Sequence, residues 1–178
     1  MKFYLSGGME YKNNLGANWR EWITEELEKR RHDAINPVKL EVAEEELGED
    51  LPPIQVRLTQ LKIEGKLEEV RRLVRKVLFR KDMYAIQESD AIIVLYDEST
   101  RRGAGTLSEA WEAFREGRPV YLVTEFGMED IPTWLIGETT QIFNNMDDLL
   151  EYVSDHSYVI RDKMHAGQIA HDVLGGLY

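Results

Sequence analysis

Apolar residues recur along this chain in two alternating patterns, one typical of strands and one typical of helices. Short β-prone runs at 2–5, 34–37, 91–96 and 119–123, with a weaker run at 141–143, predict strands. The run at 91–96 is apolar throughout, as is usual for a strand covered on both faces of a parallel sheet. Helical patterns separate the strands. This repetition predicts a small doubly wound α/β domain, flavodoxin- or Rossmann-like, with four or five parallel strands.

Two sets of apolar residues predict helices that each bury one face. They are Leu15, Trp19, Trp22, Ile23 and Leu27 in the first helix, and Leu107, Ala110, Trp111 and Phe114 in the second. The second helix is expected to end at Gly117, and a further helix is predicted at 146–153.

One segment, at about 38–79, interrupts the alternation. It begins with six acidic residues among the ten from 41 to 50 and continues with apolar residues at helical spacing. Its polar face carries Arg71, Arg72, Arg75 and Lys76. The pattern favours an inserted helical hairpin with a solvated charged face, and a lid or an oligomer contact is the alternative. The whole chain, 1–178, is predicted to be a single domain with this insertion and a C-terminal tail at about 156–178.

The composition is that of one folded domain. The 178 residues are 43% hydrophobic and 31% charged, which is too apolar for a disordered chain and sufficient for one core. With 22 basic and 33 acidic residues, the net charge of -11 argues against binding along a nucleic-acid backbone but allows one nucleotide in a local pocket. The lack of cysteine excludes disulfides, cysteine-ligated metals and thiol nucleophiles. Without a bilayer-spanning run or a signal-peptide pattern, the chain is expected in the cytoplasm.

The first predicted strand ends in a candidate site, because ligands of open parallel sheets bind beyond the carboxyl ends of the strands. Tyr4 is followed there by Ser6, Gly7 and Gly8. Glycines let a ligand approach the backbone closely, and their amides can meet an oxyanion. An ordinary tight turn is the alternative interpretation.

Two carboxylates precede the buried strand. Asp82 and Ile86 are four residues apart and share one face of a predicted short helix, while Asp90 opens the strand. Asp82 is a candidate for chemistry or for a favourable interaction with the helix dipole. For Asp90 alone, a strand-edge or capping role is favoured.

A glycine loop follows the buried strand. Gly103, Gly105 and Thr106 lead into the next helix, where free amides suit an anion or a sugar. Thr106 and Glu109 have the spacing of a capping box, in which the hydroxyl caps the helix and the carboxylate reaches back to the cap amide. Because Glu109 lies opposite the predicted apolar face, it either caps the helix or faces a cleft above the sheet. The spacing alone favours the cap.

Together these groups resemble one enzyme family, the nucleoside 2-deoxyribosyltransferases with the related deoxynucleoside monophosphate N-glycosidases. The resemblance rests on three motifs in this order: Tyr4-Leu5-Ser6-Gly7-Gly8, Asp82-x-x-x-Ile86-x-x-x-Asp90, and Gly105-Thr106-x-x-Glu109-x-x-x-Ala113. It extends from the first residue to about Val123 and is weaker beyond, where 131–134 and 175–178 are similar to family segments. Under this resemblance Glu109 is a nucleophile rather than a cap, since one carboxylate cannot serve both roles at once.

The resemblance implies a two-step exchange on a 2'-deoxynucleoside with retention of configuration. Glu109 attacks C1', displaces the nucleobase and forms a glycosyl ester, which a second base then attacks. Asp82 matches the position that handles the base and its proton, and Tyr4 matches a residue that holds the nucleophilic carboxylate. If water attacks instead, the same site is a hydrolase. The implied partners are a deoxynucleoside or deoxynucleotide and a free nucleobase, with no metal, organic cofactor, nucleic-acid polymer or membrane.

The resemblance also implies a wider set of substrate-binding positions. They are Ser6, Gly7, Gly8, Asp90, Gly103, Gly105 and Thr106. Gly103 stands where the transferases usually carry an aspartate for a sugar hydroxyl, so Asp97 or Glu98 is expected to substitute. Asp130 stands where a base-contacting asparagine is common.

Two arginines, Arg101 and Arg102, lie beside the expected sugar end. Guanidinium groups suit a 5'-phosphate better than a free hydroxyl, which favours a nucleotide substrate and an N-glycosidase. A solvated loop is the alternative.

The C-terminal residues imply an assembly. In transferases of this family, carboxyl-terminal residues of a neighbouring subunit complete the site, and Tyr178 after two glycines looks similar. We therefore expect a homo-oligomer with shared active sites. His165 and His171 lie six residues apart, which does not place both on one helical face, so no metal site is expected.

Two interpretations without catalysis stay open. The sheet could bind or sense a nucleotide derivative, with Glu109 acting only as a cap. The charged helices of 38–79 could instead form a protein interface on a scaffold.

Overall fold

The computed structural model describes residues 1–10, 12, 14–40, 52 and 54–175. Five parallel strands form one sheet in the order β2-β1-β3-β4-β5. They are β1 (Lys2–Gly7), β2 (Asp33–Ile35), β3 (Ala91–Leu95), β4 (Val120–Val123) and β5 (Gln141–Phe143). The predicted doubly wound α/β fold is confirmed, and all five predicted strands are present. The order reverses direction between β1 and β3, and ligands of such sheets bind beyond the carboxyl ends at that switch.

Helices cover both faces of the sheet. They include α1 (Ala17–Lys29), α2 (Ile54–Ile63), α3 (Leu67–Leu73), α4 (Arg80–Gln87), α5 (Glu98–Arg101), α6 (Gly105–Arg115), α7 (Thr133–Glu138), α8 (Met146–Ser154) and α9 (His156–Leu174). A π-helical turn, Val74–Phe79, joins α3 to α4, and a short 3-10 turn, Met128–Asp130, precedes α7. No described helix is both long and apolar enough to cross a membrane.

Alternation along β1 decides which side chains meet which helices. Phe3 and Leu5 belong to the core cluster beneath α1, α8 and α9. Tyr4 points the other way, into the cluster beneath α4, α6 and α7. In a strand successive side chains face opposite sides, so Ser6 faces the same side as Tyr4. The sequence of β1 therefore sends two hydroxyl groups toward α6.

The buried face of α1 differs from the prediction. Arg20, Ile23, Thr24 and Leu27 are its buried residues, whereas Trp22 is 42% exposed. The prediction for Trp22 was wrong because the helix turns a buried arginine and a threonine toward the sheet instead. Leu15 precedes the helix, with a φ of 54°.

The described part of the insertion is mostly helical, with a turn at 64–66 between α2 and α3. Arg71, Arg72, Arg75 and Lys76 are all exposed, as the pattern predicts. The acidic stretch 41–50 lies outside the described residues.

The predicted C-terminal tail is, over its described part, the 19-residue helix α9. Buried Asp162 fixes it to the sheet by accepting hydrogen bonds from the hydroxyls of Tyr121 (3.1 Å) and Tyr152 (2.8 Å). A carboxylate that pairs with two tyrosines gives α9 a fixed position. Tyr178 lies outside the described residues.

Candidate active site

The centre of the candidate site is the carboxylate of Glu109. The Tyr4 hydroxyl donates to its Oε1 at 3.1 Å, and the Ser6 hydroxyl donates to its Oε2. Both donors come from β1, two residues apart, so they face α6 together. The two hydrogen bonds fix the carboxylate against the central strand, and an ionised carboxylate retains further lone pairs for a substrate atom.

The position of Glu109 in α6 corrects the predicted capping box. The helix begins at Gly105, and Ala104 at its cap position makes no side-chain hydrogen bond to it. Glu109 is therefore the fifth residue of the helix, two residues beyond the position from which a capping-box carboxylate reaches back. Thr106 is buried against the sheet with Ala110 and Ala113, on the face beside Glu109.

The predicted apolar face of α6 packs on both the sheet and another helix. Ala110, with partly buried Leu107 and Phe114, contacts the core cluster on the sheet, and Ala113 joins it there. The rings of Trp111 and Phe114 stack with their centroids 5.6 Å apart, and Trp111 lies 5.8 Å from Trp134 of α7. Glu109 lies on the opposite side of α6 from Trp111 and Phe114, so its carboxylate faces β1.

Burial and hydrogen bonding shift the pKa of Glu109 in opposite directions. Burial raises the pKa of its carboxyl above the ordinary value of 4.5. Hydrogen bonds from Ser6 and Tyr4 and the positive charge of Arg20 lower this pKa and limit the rise. Burial also raises the pKa of Tyr4 well above its ordinary value, so the phenol stays protonated and remains a donor.

A cavity of about 380 Å³ brings the predicted residues together. Its volume is at the lower end of the range for small-molecule sites. The predicted residues that line it are Gly7, Gly8, Asp82, Gly103, Gly105, Thr106 and Glu109. The insertion supplies another part of the wall through α2, α3 and the π-helical turn. Three separate stretches of the chain therefore converge on one cavity.

Asp82 shares this cavity from the first turn of α4. Its side chain is only 18% exposed, and Lys81 Nζ lies 3.8 Å from its Oδ1. Ile86, one turn later, is fully buried and anchors α4 on the sheet. The cavity thus has carboxyl groups from two different helices, α4 and α6.

Gly8 has a packing role that corrects its prediction as an oxyanion donor. Its amide donates to the Thr100 hydroxyl at 3.2 Å. A Cβ on Gly8 would lie 2.9 Å from the backbone carbon of Ser99. The close approach of two loops, rather than of a ligand, requires glycine at this position.

Several predicted binding residues lie away from the cavity. Asp90 is at the amino end of β3, where it accepts from the Lys2 amide at 2.9 Å and pairs with Lys163. It is therefore on the opposite edge of the sheet, and the prediction that it binds substrate is wrong. The strand-edge role that its position in the sequence favours is the one observed. Asp130 is exposed in the 3-10 turn and does not line the cavity.

The residues around α5 are also engaged elsewhere. Asp97 caps α5 by accepting from the amides of Ser99 (2.9 Å) and Thr100 (3.1 Å), and it pairs with Lys12. It lines a separate cavity of about 420 Å³ beyond β3, β4 and β5. Arg101 pairs with Glu98 at 3.5 Å and lies over the Phe126 ring.

Neither Arg101 nor Arg102 is in the described lining of the cavity that holds Glu109. Both side chains are exposed, and Arg102 ends α5. The solvated-loop interpretation of the two arginines fits this position, and the phosphate-binding one does not.

Arg20 is a functional candidate that the sequence interpretation missed. Its fully buried guanidinium donates to the carbonyl oxygens of Leu5 (3.1 Å), Gly7 (2.8 Å), Leu15 (2.9 Å) and Gly16 (3.3 Å). It thereby fixes the backbone on both sides of Ser6, one of the two groups that hold Glu109. Its spacing of three and seven residues from Ile23 and Leu27 placed it on the buried face, which was the available signal.

Within the described ranges, no group of three or more histidine or acidic side chains is arranged to hold a metal ion. His165 and His171 are exposed on α9.

No family model and no curated protein matches this chain by sequence. Among solved structures, it is similar to a 2-deoxyribosyltransferase from Bacillus psychrosaccharolyticus, with 19% identity and a TM-score of 0.61 over 89% of this chain and 96% of that one. It is also similar to the CMP N-glycosidase BcmB of Clostridium botulinum, with 16% identity and a TM-score of 0.44 over 86% of this chain and 98% of that one. The first of these neighbours is a 2-deoxyribosyltransferase, which is the kind of enzyme that the sequence motifs resemble. The chain has the fold of the Bacillus 2-deoxyribosyltransferase.

Proposed function

We propose that the protein cleaves the N-glycosidic bond of a 2'-deoxynucleoside and transfers the deoxyribosyl group to a second nucleobase. The observation that carries this proposal is the Glu109 carboxylate, held by two hydroxyls on the wall of a cavity that also contains Asp82. A fixed carboxylate nucleophile and a second carboxyl group are the requirements of a retaining glycosyl transfer.

In the first step, an oxygen of Glu109 attacks C1' of the deoxyribose. The C1'–N bond breaks, its electron pair leaves with the nucleobase, and Asp82 supplies the proton that the departing base needs. The product is a deoxyribosyl ester on Glu109 and a free base. Tyr4 and Ser6 stabilise the carboxylate before the step and orient it toward C1'.

In the second step, a nitrogen of an incoming base attacks C1' from the opposite face. The ester bond breaks, Glu109 leaves as a carboxylate, and the proton of the incoming nitrogen passes to Asp82. Two inversions give net retention. Water in place of the base gives hydrolysis by the same groups, which is the second candidate reaction.

The charges that line the cavity support a nucleoside rather than a 5'-monophosphate as substrate. Its charged lining in the described part of the chain consists of Glu10, Asp82 and Glu109 against the single ammonium group of Lys62, which pairs with Glu10 at 2.6 Å. With Glu10 paired to Lys62 and Asp82 protonated for the first step, the ionised Glu109 remains, and it disfavours a phosphate dianion beside it. The charges of the described lining therefore favour transfer on nucleosides over the N-glycosidase reaction on a nucleotide.

We further propose a homo-oligomer with shared active sites, located in the cytoplasm. Trp134, 73% exposed on α7, is an apolar side chain that an interface would cover. Light scattering on the purified protein would give the oligomeric mass, and a monomer would contradict this part of the proposal.

The reaction is tested by chromatography of the purified protein with deoxyinosine or thymidine, each with and without adenine or cytosine. The matching 5'-monophosphates are supplied in parallel. A new deoxynucleoside that forms only with added base is the expected result. Free base released from the monophosphates without exchange would favour the N-glycosidase, and no turnover of any substrate would leave a binding module.

Glu109→Gln is the decisive variant, because an amide cannot form the ester. Glu112→Gln is its matched control, since Glu112 lies on the same helix and pairs with Arg115 at 2.8 Å. The proposal expects loss of turnover in the first variant and normal turnover in the second. Full activity of Glu109→Gln would exclude the covalent mechanism.

A further inference from the structure

The inserted helices contribute the apolar part of the cavity that holds Glu109. Leu58 comes from α2, Val70 from α3, and Val74, Leu78 and Phe79 from the π-helical turn. The sheet side of the same cavity carries glycines, hydroxyls and the Glu109 carboxylate, together with Met9 and Ala104. The insertion adds two polar side chains, Gln55 and Lys62. The cavity thus has a mostly polar wall and a mostly apolar wall, supplied by different parts of the chain.

A nucleoside likewise has one polar part and one apolar part. Its sugar carries hydroxyl groups, and its base presents two apolar π-faces. The reacting C1' joins the two and must lie beside Glu109, on the polar wall. The sugar then occupies the polar side and the base extends toward the insertion.

We infer that the insertion forms the nucleobase subsite and that Phe79 provides the aromatic surface on which the base stacks. This inference rests on the proposed function and adds to it the residues that contact the base. It also assigns a role to the segment for which the sequence alone indicates only a charged helical hairpin.

The exposure of Phe79 supports this role. It is 56% exposed although it lines the cavity, so the ring is not packed inside the core and is accessible to a ligand. Exposed aromatic rings that border a pocket are suited to stacking on flat ligands.

The position of Phe79 relative to Asp82 is a second, independent support. The two residues are three apart on one continuous helical stretch, so they lie on the same side. Both line the cavity. A base close enough to receive a proton from Asp82 therefore lies close to the Phe79 ring.

The π-helical turn explains how Phe79 joins the apolar wall. Val74 and Phe79 are five residues apart, which is about 1.4 turns of an α-helix and would direct the two side chains to different sides. In a π-helix the i→i+5 hydrogen bond places residues five apart near one another. The turn therefore aligns Phe79 with Val74 along the cavity, and π-helical turns are frequent at functional sites.

The test compares Phe79→Ala with Tyr84→Ala. Tyr84 is an equally exposed aromatic (65%) on α4, but it lines a different cavity, with Ile35 and Leu40. Phe79→Leu retains apolar packing without the aromatic face, and Phe79→Trp retains the face. Thermal unfolding of each variant confirms that it is folded.

Two readouts are measured, KM for the deoxynucleoside and the Kd of free adenine by calorimetry. We expect both to rise by about 5-fold to about 150-fold in Phe79→Ala, the range for loss of one base-stacking contact. Phe79→Leu should show a smaller rise, while kcat stays within about threefold. Phe79→Trp and Tyr84→Ala should match the unchanged protein.

The outcomes separate this inference from the proposed function. If the unchanged protein turns over nucleosides but Phe79→Ala has unaltered KM and Kd, the inference is wrong and the function stands. If there is no turnover but adenine binds and Phe79→Ala weakens it, the proposed reaction fails and the base subsite stands. Equal losses in Phe79→Ala and Tyr84→Ala, or no binding of adenine to the unchanged protein, would overturn the inference.

Discussion

The hydroxyl of Tyr4 lies 3.1 Å from Oε1 of Glu109, although the two residues are 105 positions apart in the chain. One comes from the central strand and the other from a helix on its face, so only the folded sheet brings them together. Glu109 has no capping role in this arrangement. Its position is defined by contacts of the kind that a catalytic carboxylate requires.

Tyr4→Phe is expected to lower kcat by about 10-fold to about 100-fold with little change in KM, because a hydrogen bond to a charged group is worth about 1.5–3 kcal/mol. The same variant should raise the acidic-limb pKa of the pH–rate profile, since the Tyr4 hydrogen bond lowers the pKa of Glu109. The pH dependence of kcat/KM measures both effects. Tyr96→Phe, in the neighbouring cavity, is the control, and an unshifted limb in Tyr4→Phe would contradict the assignment.

Glu109→Gln is expected to unfold at a higher temperature than the unchanged protein at pH 7. Burial raises the pKa of Glu109 in the folded state, so the folded protein favours the protonated form. The stability from that protonation is fully present below the unfolded-state pKa and is lost as the pH rises through the folded pKa. The gain from the amide should therefore be present at pH 7 and shrink toward pH 4. Calorimetric scans at both pH values measure it, with about 2–4 °C in Tm for each 1 kcal/mol.

Arg20→Met is expected to destabilise the fold strongly. It leaves buried carbonyl oxygens of Leu5, Gly7 and Gly16 without the guanidinium that donates to them. Each unsatisfied buried acceptor costs about 1–3 kcal/mol, so a loss of about 3 kcal/mol or more is expected. Urea unfolding measures the loss, with exposed Arg72→Met as the control. A loss below about 1 kcal/mol would show that the guanidinium network is not needed.

Arg20→Lys separates stability from activity. A lysine ammonium keeps the charge but lacks the planar guanidinium group that donates to several carbonyl oxygens at once. If Arg20 positions Ser6, this variant should lower kcat more than it raises KM. A change in KM alone would argue against a positioning role.

Glu138→Gln is expected to stabilise the protein above pH 7. The carboxyl is only 5% exposed, and its Oε2 has no hydrogen-bond partner among the described residues. Burial raises the pKa of Glu138 to about 7. The stability of the protonated form is complete below about pH 4.5 and is lost as the pH rises through 7, so the amide should help at pH 8 and make little difference at pH 4.5. Thermal unfolding at the two pH values measures this, with exposed Glu129→Gln as the control.

The sheet could be predicted because its strands are short apolar runs with glycine or asparagine-proline boundaries. The composition of 91–96 alone identified a strand buried on both faces. The two roles of Glu109 could not be separated by spacing, because the choice depends on hydroxyl groups more than a hundred residues away. Only the family resemblance favoured the nucleophile before the contacts were known.

Other residues could not be assigned because their roles depend on where the folded chain places their side chains and not on their spacing in the sequence. Asp90 stands in a motif with Asp82, yet it is separated from it by the length of a helix and lies at the amino edge of the sheet. Arg20 donates to backbone carbonyl oxygens, and the pattern of side chains along the sequence does not reveal such partners. A π-helical turn has the same composition as an α-helix, so the alignment of Phe79 with Val74 was also not predictable.

The attachment of Glu109 to β1 affects which parts of the sequence can be substituted without a large loss of stability. Residues 4 and 6 are in the centre of the sheet, where backbone amides exchange with solvent only when the whole molecule unfolds. The helical stretch from Leu67 to Phe79 has no buried residues, so its amides should exchange through small local openings. Substitutions there cost little stability, whereas those around Tyr4 cost much. Under the proposed function, a lineage of such proteins could alter which base it accepts through successive substitutions in this stretch, while Glu109 stays in place.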